Sequence, residues 1–228
     1  MQLRPQICRW HTYTNLDELS RAGAQRILHS AREAIARNGR FSIVLAGGST
    51  PRQVYELMRT GDTDWSRWQV FFGDERCLPV DHPERNSRMA AESWLDHVAI
   101  PSALIHPIPA ELGPQQAAAA YAKTLASVPE FDLVLLGLGE DGHTASLFPG
   151  HAWGAEPDSP PVLAVLDAPK PPPQRVSLSA SRLSRAREVM FLVSGAGKRQ
   201  AVADWQAGKN IPALAITPPG EVDVLLDF

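Results

Sequence analysis

The sequence predicts an α/β fold built on a mainly parallel sheet with both faces covered, and three observations carry that prediction. Short apolar runs alternate with segments of helical periodicity along most of the chain, the pattern of strand–helix–strand units. The run from Phe131 to Leu136 is nearly continuous in apolar character, as expected of a strand buried on both faces. Polar, glycine-containing segments at 47–50, 73–76 and 137–146 each follow such a run; ligands of open α/β sheets bind beyond these carboxyl ends.

The elements follow in order. Asn15 is a capping residue with Glu18 three positions on, and Leu16, Leu19, Ile27, Leu28, Ala31 and Ile35 share one side of the helix that follows, until Gly39. Phe41 to Ala46 reads as a buried strand, Gln69 to Phe72 as another, and Gln115 to Ser127 as an alanine-rich helix before the 131–136 strand. Arg175–Leu178 and Glu188–Val193 read as strands around a short helix, Ala196–Ala207 as a helix, and Val222–Leu226 as a closing strand. Seven prolines fall within residues 157–173, but the apolar run 162–166 inside that stretch favours an irregular connection within one domain spanning 1–228.

The 228 residues are 44% hydrophobic and 21% charged, an ordinary globular composition. The net charge of −3 argues against a nucleic-acid partner, so an anionic ligand has to be held by local groups. Cys8 and Cys77 are read as reduced thiols. Met1 to Asn15 shows no secretory leader and no apolar run approaches a bilayer span, which points to a soluble, cytoplasmic protein away from membranes.

Gly47, Gly48, Ser49, Thr50 and Pro51 lie between a strand and a helix. The glycines permit close backbone approach, Pro51 suits the first helical position and Ser49 or Thr50 can cap it. Free N–H groups at such a start favour phosphate; a plain capped turn is the alternative. Gly137 to Gly142 matches GxGxxG after a strand, but Pro149 and Gly150 follow too soon for the helix a dinucleotide site requires. Ser194 to Lys198 suggests a P-loop and fails as one, with Leu192 in place of the first glycine and Arg199 in place of the Ser or Thr.

That leaves Asp141-Gly-His143 as the chemical element: a histidine able to act as base or acid near neutrality, with a carboxylate two residues away able to orient it. Asp74, Glu75 and Arg76 pack three charges into one turn, where Arg76 is suited to a phosphate or a developing oxyanion. Arg175 and Lys198 are further cationic candidates. The histidines show no HExxH spacing, the cysteines no CxxC, and no GxSxG is present, so neither a metal site nor a serine nucleophile is expected.

Taken together, LAGGSTP at 45–51, FFGDERCLPVDHPERNSRMA at 71–90, FDLVLLGLGEDGHTASLFPGH at 131–151, RVSLS at 175–179 and FLVSGAGKRQAV at 191–202 resemble the 6-phosphogluconolactonase family, in its order and over nearly the whole chain. The resemblance implies a three-layer α/β/α Rossmann-like fold, shared with sugar-phosphate deaminases and pentose-phosphate isomerases. It implies hydrolysis of 6-phosphogluconolactone to 6-phosphogluconate, the second step of the oxidative pentose phosphate pathway, without metal or organic cofactor. The family's catalytic histidine falls on His143, beside Asp141. Its phosphate and substrate contacts fall on Gly47, Gly48, Ser49, Thr50, Arg76, Asn86, Arg175 and Lys198, with Asp74 close to the sugar. Arg85 departs from the pattern, the family often having serine before Asn86.

The implied mechanism has the phosphate on the 47–51 turn with Lys198 and Arg175, His143 as general base on water, and Arg76 on the oxyanion. The implied partner is a small phosphosugar lactone, and the chain is expected to be a monomer or weak homo-oligomer. Two rivals are weighed against this. Glucosamine-6-phosphate deaminases carry a glutamate five residues after the motif histidine, where this chain has Phe148, which cannot relay a proton. A non-catalytic sugar-phosphate sensor needs the phosphate turn but not the Asp141–His143 pair.

Overall fold

The computed structural model describes residues 6–228; residues 1–5, part of the segment read for a leader and of the 1–228 domain, lie outside the described residues. In chain order the elements are β1 (Cys8–Thr12), α1 (Leu16–Asn38), β2 (Phe41–Leu45), α2 (Ser49–Met58), β3 (Trp68–Phe72), β4 (Asp74–Arg76), α3 (Asn86–Ser93), β5 (Ile105–His106), α4 (Pro114–Leu125), β6 (Phe131–Gly137), β7 (Val162–Val165), β8 (Arg175–Leu178), α5 (Ala180–Leu183), β9 (Ala186–Val193), α6 (Arg199–Gln206) and β10 (Val222–Leu226).

Seven strands form one parallel sheet in the order β1-β10-β9-β6-β2-β3-β5. Helices cover both faces, giving the three-layer α/β/α architecture. From β2 the chain moves through β3 to β5 on one side, and from β6 it moves through β9 to β10 on the other, where β1, the first strand, forms the edge beside β10. The direction of winding reverses between β2 and β6, and the crevice outside such a reversal is where ligands bind. β6 is central, and its residues Phe131–Leu136 are all buried, in keeping with its lack of a polar face.

The caps of α1 form nearly as read. The Asn15 side chain accepts from the Glu18 N–H at 2.9 Å; the Glu18 carboxylate, however, accepts from the Thr14 N–H at 3.1 Å, one residue before the expected partner. Gly39 closes the helix at φ 72°, donating to the Ile35 carbonyl at 2.8 Å, a left-handed conformation that favours glycine. Two buried tyrosines finish the strands that lead to the crevice. Tyr55 Oη accepts from the Ala46 N–H and donates to its carbonyl; Tyr121 Oη accepts from the Phe72 N–H. Each hydroxyl satisfies backbone groups where the ladder stops, a need that burial makes expensive to leave unmet.

Several expectations change. α2 begins two residues earlier than read: Gly48 is the cap at φ 110° without a side-chain cap bond, Ser49 and Thr50 are helical, and Pro51 is the third residue. Proline is tolerated there because the first turn's N–H groups have no helical partner anyway. Lys198 ends a 3-10 turn at Ala196–Lys198, and α6 starts only at Arg199. The 157–173 stretch contains a strand, β7, and Arg175–Leu178 does not join the parallel sheet. β4, β8 and β7 form a separate antiparallel sheet in that order. Among the described residues no helix is long and apolar enough to cross a membrane, and Cys8 and Cys77 are unpaired.

Candidate active site

A cavity of about 200 Å³ opens beyond the carboxyl ends of β2, β3, β6 and β9, lined by Gly47 and Gly48, Asp74 and Arg76, Asn86, Gly139 and His143, Arg175 and Lys198, among others. Each of the four strand ends delivers one piece. The Gly47–Gly48 turn follows β2, β4 follows β3, the histidine turn follows β6, and Lys198 follows β9.

The histidine turn folds on itself. The Gly139 N–H donates to the His143 carbonyl at 2.7 Å and the Gly142 N–H to the Gly139 carbonyl at 3.0 Å. Gly142 sits at φ 83°, a conformation costly for a side-chain-bearing residue. Gly139 is glycine for a different reason: a Cβ there would lie 1.9 Å from His143 Nδ1 and 2.6 Å from Asp141 Oδ1. The space it vacates lets the Asp141 carboxylate reach His143 Nδ1 at 2.5 Å and the His143 N–H at 3.2 Å. Because an ionised carboxylate only accepts, this bond places the imidazole proton on Nδ1 and leaves the Nε2 lone pair free. Past the histidine, Thr144 Oγ1 donates to the Gly137 carbonyl at 2.9 Å, and Ala145, also in the cavity wall, is held at φ 48°. Strain of this kind gathers at functional sites.

Burial pushes His143 down, and although Asp141 and, more weakly, Asp74 pull it upward, it remains below the ordinary imidazole value. Burial pushes Asp141 up, but the His143 hydrogen bond and charge outweigh that and hold its carboxyl below the usual range. The pair therefore consists of a carboxylate and a neutral ring at neutral pH.

The antiparallel pair β4–β8 sets Asp74 opposite Ser177 and Arg76 opposite Arg175. Alternation along β4 turns Asp74 and Arg76 to the cavity and Glu75 the other way. Glu75 is fully buried and accepts from the N–H groups of Arg76, Asn86 and Ser87 at 2.9, 2.7 and 2.8 Å, so it caps α3 and locks it to β4. Arg85, 2% exposed, is 3.5 Å from that carboxylate and 2.8 Å from Glu111. The residue that departs from the family pattern thus neutralises the buried cap. Asn86, fixed by that cap, donates through Nδ2 to the Asp74 carboxylate at 3.0 Å, and Ser146 Oγ donates to its other oxygen at 2.6 Å.

The cations differ in freedom. Arg76 donates through Nη1 to the Glu84 carbonyl, while its buried Nε has no partner among the described residues. Arg175 spends Nε on the Pro172 carbonyl and Nη2 on the Lys170 and Pro171 carbonyls, leaving Nη1 3.5 Å from Ser146 Oγ. Burial lowers its guanidinium from the ordinary value, Asp74 opposing. Lys198 follows a turn tied down by Asp227, which accepts from Ser194 Oγ and from the Gly195 N–H. Gly47 and Gly48 face the cavity, whereas Ser49 and Thr50 sit behind them in the first turn of α2; Gly47 has to be glycine, since a Cβ would fall 2.0 Å from Asn86 Oδ1.

Of the residues named from the sequence, Gly47, Gly48, Asp74, Arg76, Asn86, His143, Arg175 and Lys198 line the cavity and Ser49, Thr50 and Asp141 do not, and two supports were missed. Glu75 was visible only as one charge of a turn, and Ser146 lay inside the histidine motif without a role. The Glu75 role depends on the packing of α3 against β4, and that of Ser146 on its contacts with Asp74 and Ser177; nothing local announces either. Among the described residues no group of three or more His, Cys, Asp or Glu side chains is arranged to hold a metal ion.

A parallel α/β sheet with a carboxylate-bonded histidine, several cations and a helix start at its switch point fits a protein that acts on a small anionic metabolite. Comparison with known proteins makes this specific. The family model described as glucosamine-6-phosphate isomerases/6-phosphogluconolactonase matches residues 14–225, and the chain belongs to that family. A 6-phosphogluconolactonase of Synechocystis is 43% identical over 213 residues, 86% of this chain and 85% of the relative. The crystal structure of the Thermotoga maritima 6-phosphogluconolactonase superposes with a TM-score of 0.86 at 25% identity, over 97% of this chain and 99% of the other. The Trypanosoma brucei 6-phosphogluconolactonase structure gives 0.82 at 32% identity, over 99% and 97%.

Proposed function

We propose that this chain is a 6-phosphogluconolactonase, hydrolysing 6-phospho-D-glucono-1,5-lactone to 6-phospho-D-gluconate in the oxidative pentose phosphate pathway, with His143 as general base. The observation that carries the reading is the Asp141–His143 bond at 2.5 Å on the wall of a cavity that also receives the start of α2 and Lys198. The family relationship supports the same activity. Phe148, fully buried, stands where a deaminase carries its glutamate and offers no proton.

In this reading the 6-phosphate rests on the N–H groups at the start of α2 and on Lys198, with the Arg175 charge behind. That placement brings C1 of the lactone toward His143. Nε2 takes a proton from water as its oxygen attacks C1, and Asp141 stabilises the imidazolium that forms. Arg76 faces the oxyanion, where a positioned donor is typically worth about 10²–10³ in kcat. The C1–O5 bond then breaks, Nε2 returns the proton to O5, and the new carboxylic acid ionises to the product carboxylate. Asp74 and Asn86, fixed by one another and by Ser146, are placed to receive sugar hydroxyls. The chain works as one cytoplasmic domain on this small molecule, as a monomer or weak homo-oligomer and without a cofactor.

The test is hydrolysis of freshly made 6-phosphoglucono-1,5-lactone, corrected for spontaneous opening, beside unphosphorylated gluconolactone. The phosphorylated lactone should be turned over with a much higher kcat/KM. Equal rates on both lactones would remove the phosphate assignment, and tight 6-phosphogluconate binding without turnover would remove the enzymatic one.

A further inference from the structure

The ring of Phe148 is fully buried, and its centroid lies 4.8 Å from that of the His143 imidazole at an interplanar angle of 36°. The Arg175 guanidinium carbon lies 5.5 Å from the same centroid and the His151 ring 6.1 Å. The Phe148 carbonyl accepts from Trp153 Nε1 at 2.6 Å and from the His151 N–H at 3.2 Å, which fixes the backbone carrying the ring. We propose that Phe148 is a positioning residue for His143, its ring being the apolar wall against which the imidazole is held in register with Asp141.

The inference rests on the lactonase reading and adds to it a residue that touches neither water nor substrate. A histidine bonded to a carboxylate is normally driven toward its protonated form, and a base already protonated near neutral pH removes no proton. His143 escapes this because burial outweighs the carboxylate. The groups that act on it are Asp141 on its own turn and Asp74 from β4, both favouring the charged ring, and Lys170 from the loop before β8, opposing it. Arg175 of β8, which lines the same cavity, and His151, 3.6 Å from Asp167, both lie against the Phe148 ring. Phe148 is the aromatic ring packed on His143, so replacing it by a polar group admits water and lets the two carboxylates prevail. A glutamate at this position would both wet the ring and add a third carboxylate. Phenylalanine here therefore suits a site that needs a neutral base.

The test is an NMR titration of the His143 ring in the full chain and in Phe148→Ser, Phe148→Gln and Phe148→Leu, beside the acid limb of kcat/KM. The unsubstituted protein should titrate below the ordinary imidazole value of about 6.5. Ser or Gln should raise the midpoint by about 1 pH unit, with the acid limb moving alongside, and Leu should return it close to the starting position. Gln fills most of the space, so it carries the same expectation should the Ser variant not fold. An unchanged midpoint in a folded polar variant, or an equal rise with Leu, would overturn the proposal. The titration needs no turnover. A midpoint that rises while the acid limb stays put would support the wall and count instead against His143 as the lactonase base.

Discussion

The two sheets of this protein contribute to the cavity in different ways. The seven-stranded parallel sheet supplies backbone: glycine turns after β2 and β6, a free helix start and the frame of the histidine turn. The small antiparallel sheet supplies charge, setting Asp74 and Arg76 of β4 beside Ser177 and Arg175 of β8. The first is held by burial of apolar strands on both faces; the second buries Val162, Val176 and Leu178 in the same core and adds polar contacts around Glu75 and Arg85. Precision in the parallel sheet comes from what glycine leaves empty. In the small sheet it comes from satisfying buried charges one by one.

Substitutions in each sheet break this division in order of expected effect. Glu75→Ala removes the cap shared by Arg76, Asn86 and Ser87 and strips a buried partner from Arg85. It should cost about 3–5 kcal/mol of stability, read by denaturant unfolding, and a loss within experimental error would show that the small sheet does not depend on the cap. Gly139→Ala puts a methyl group where His143 Nδ1 and Asp141 Oδ1 lie. It should lower kcat/KM by about 10² with the circular dichroism spectrum retained; near-normal activity would contradict the role given to that vacancy. Lys198→Ala removes a cation that lines the cavity and whose side chain makes no hydrogen bond or ion pair among the described residues. It should raise KM about tenfold with a small change in kcat; a fall in kcat at constant KM would move Lys198 from phosphate binding to the reacting centre.

The same contrast explains what the sequence discloses. α1 with Asn15, Glu18 and Gly39, and the strands β2, β3, β6, β9 and β10, are legible because local propensity and burial agree. β4 is not, being three charged residues long, and β7 lies in a proline-rich stretch that reads as a connection. Their pairing is a long-range fact, invisible to periodicity. At the site, Asp141 and His143 are legible as neighbours, but contact between them depends on the missing Cβ of Gly139. The start of α2 shifted because Pro51 fits the third helical position as readily as the first.

The central claim is that His143, held neutral beside Asp141, is the base that opens the lactone. Its most direct measurement is kcat/KM of His143→Ala against the unsubstituted chain with 6-phosphoglucono-1,5-lactone, corrected for spontaneous hydrolysis, on samples shown to be folded. General-base help is worth about 10²–10⁴ in rate, so the variant should lose that factor while still binding 6-phosphogluconate. A folded His143→Ala protein that hydrolyses the lactone at the original rate would contradict the account.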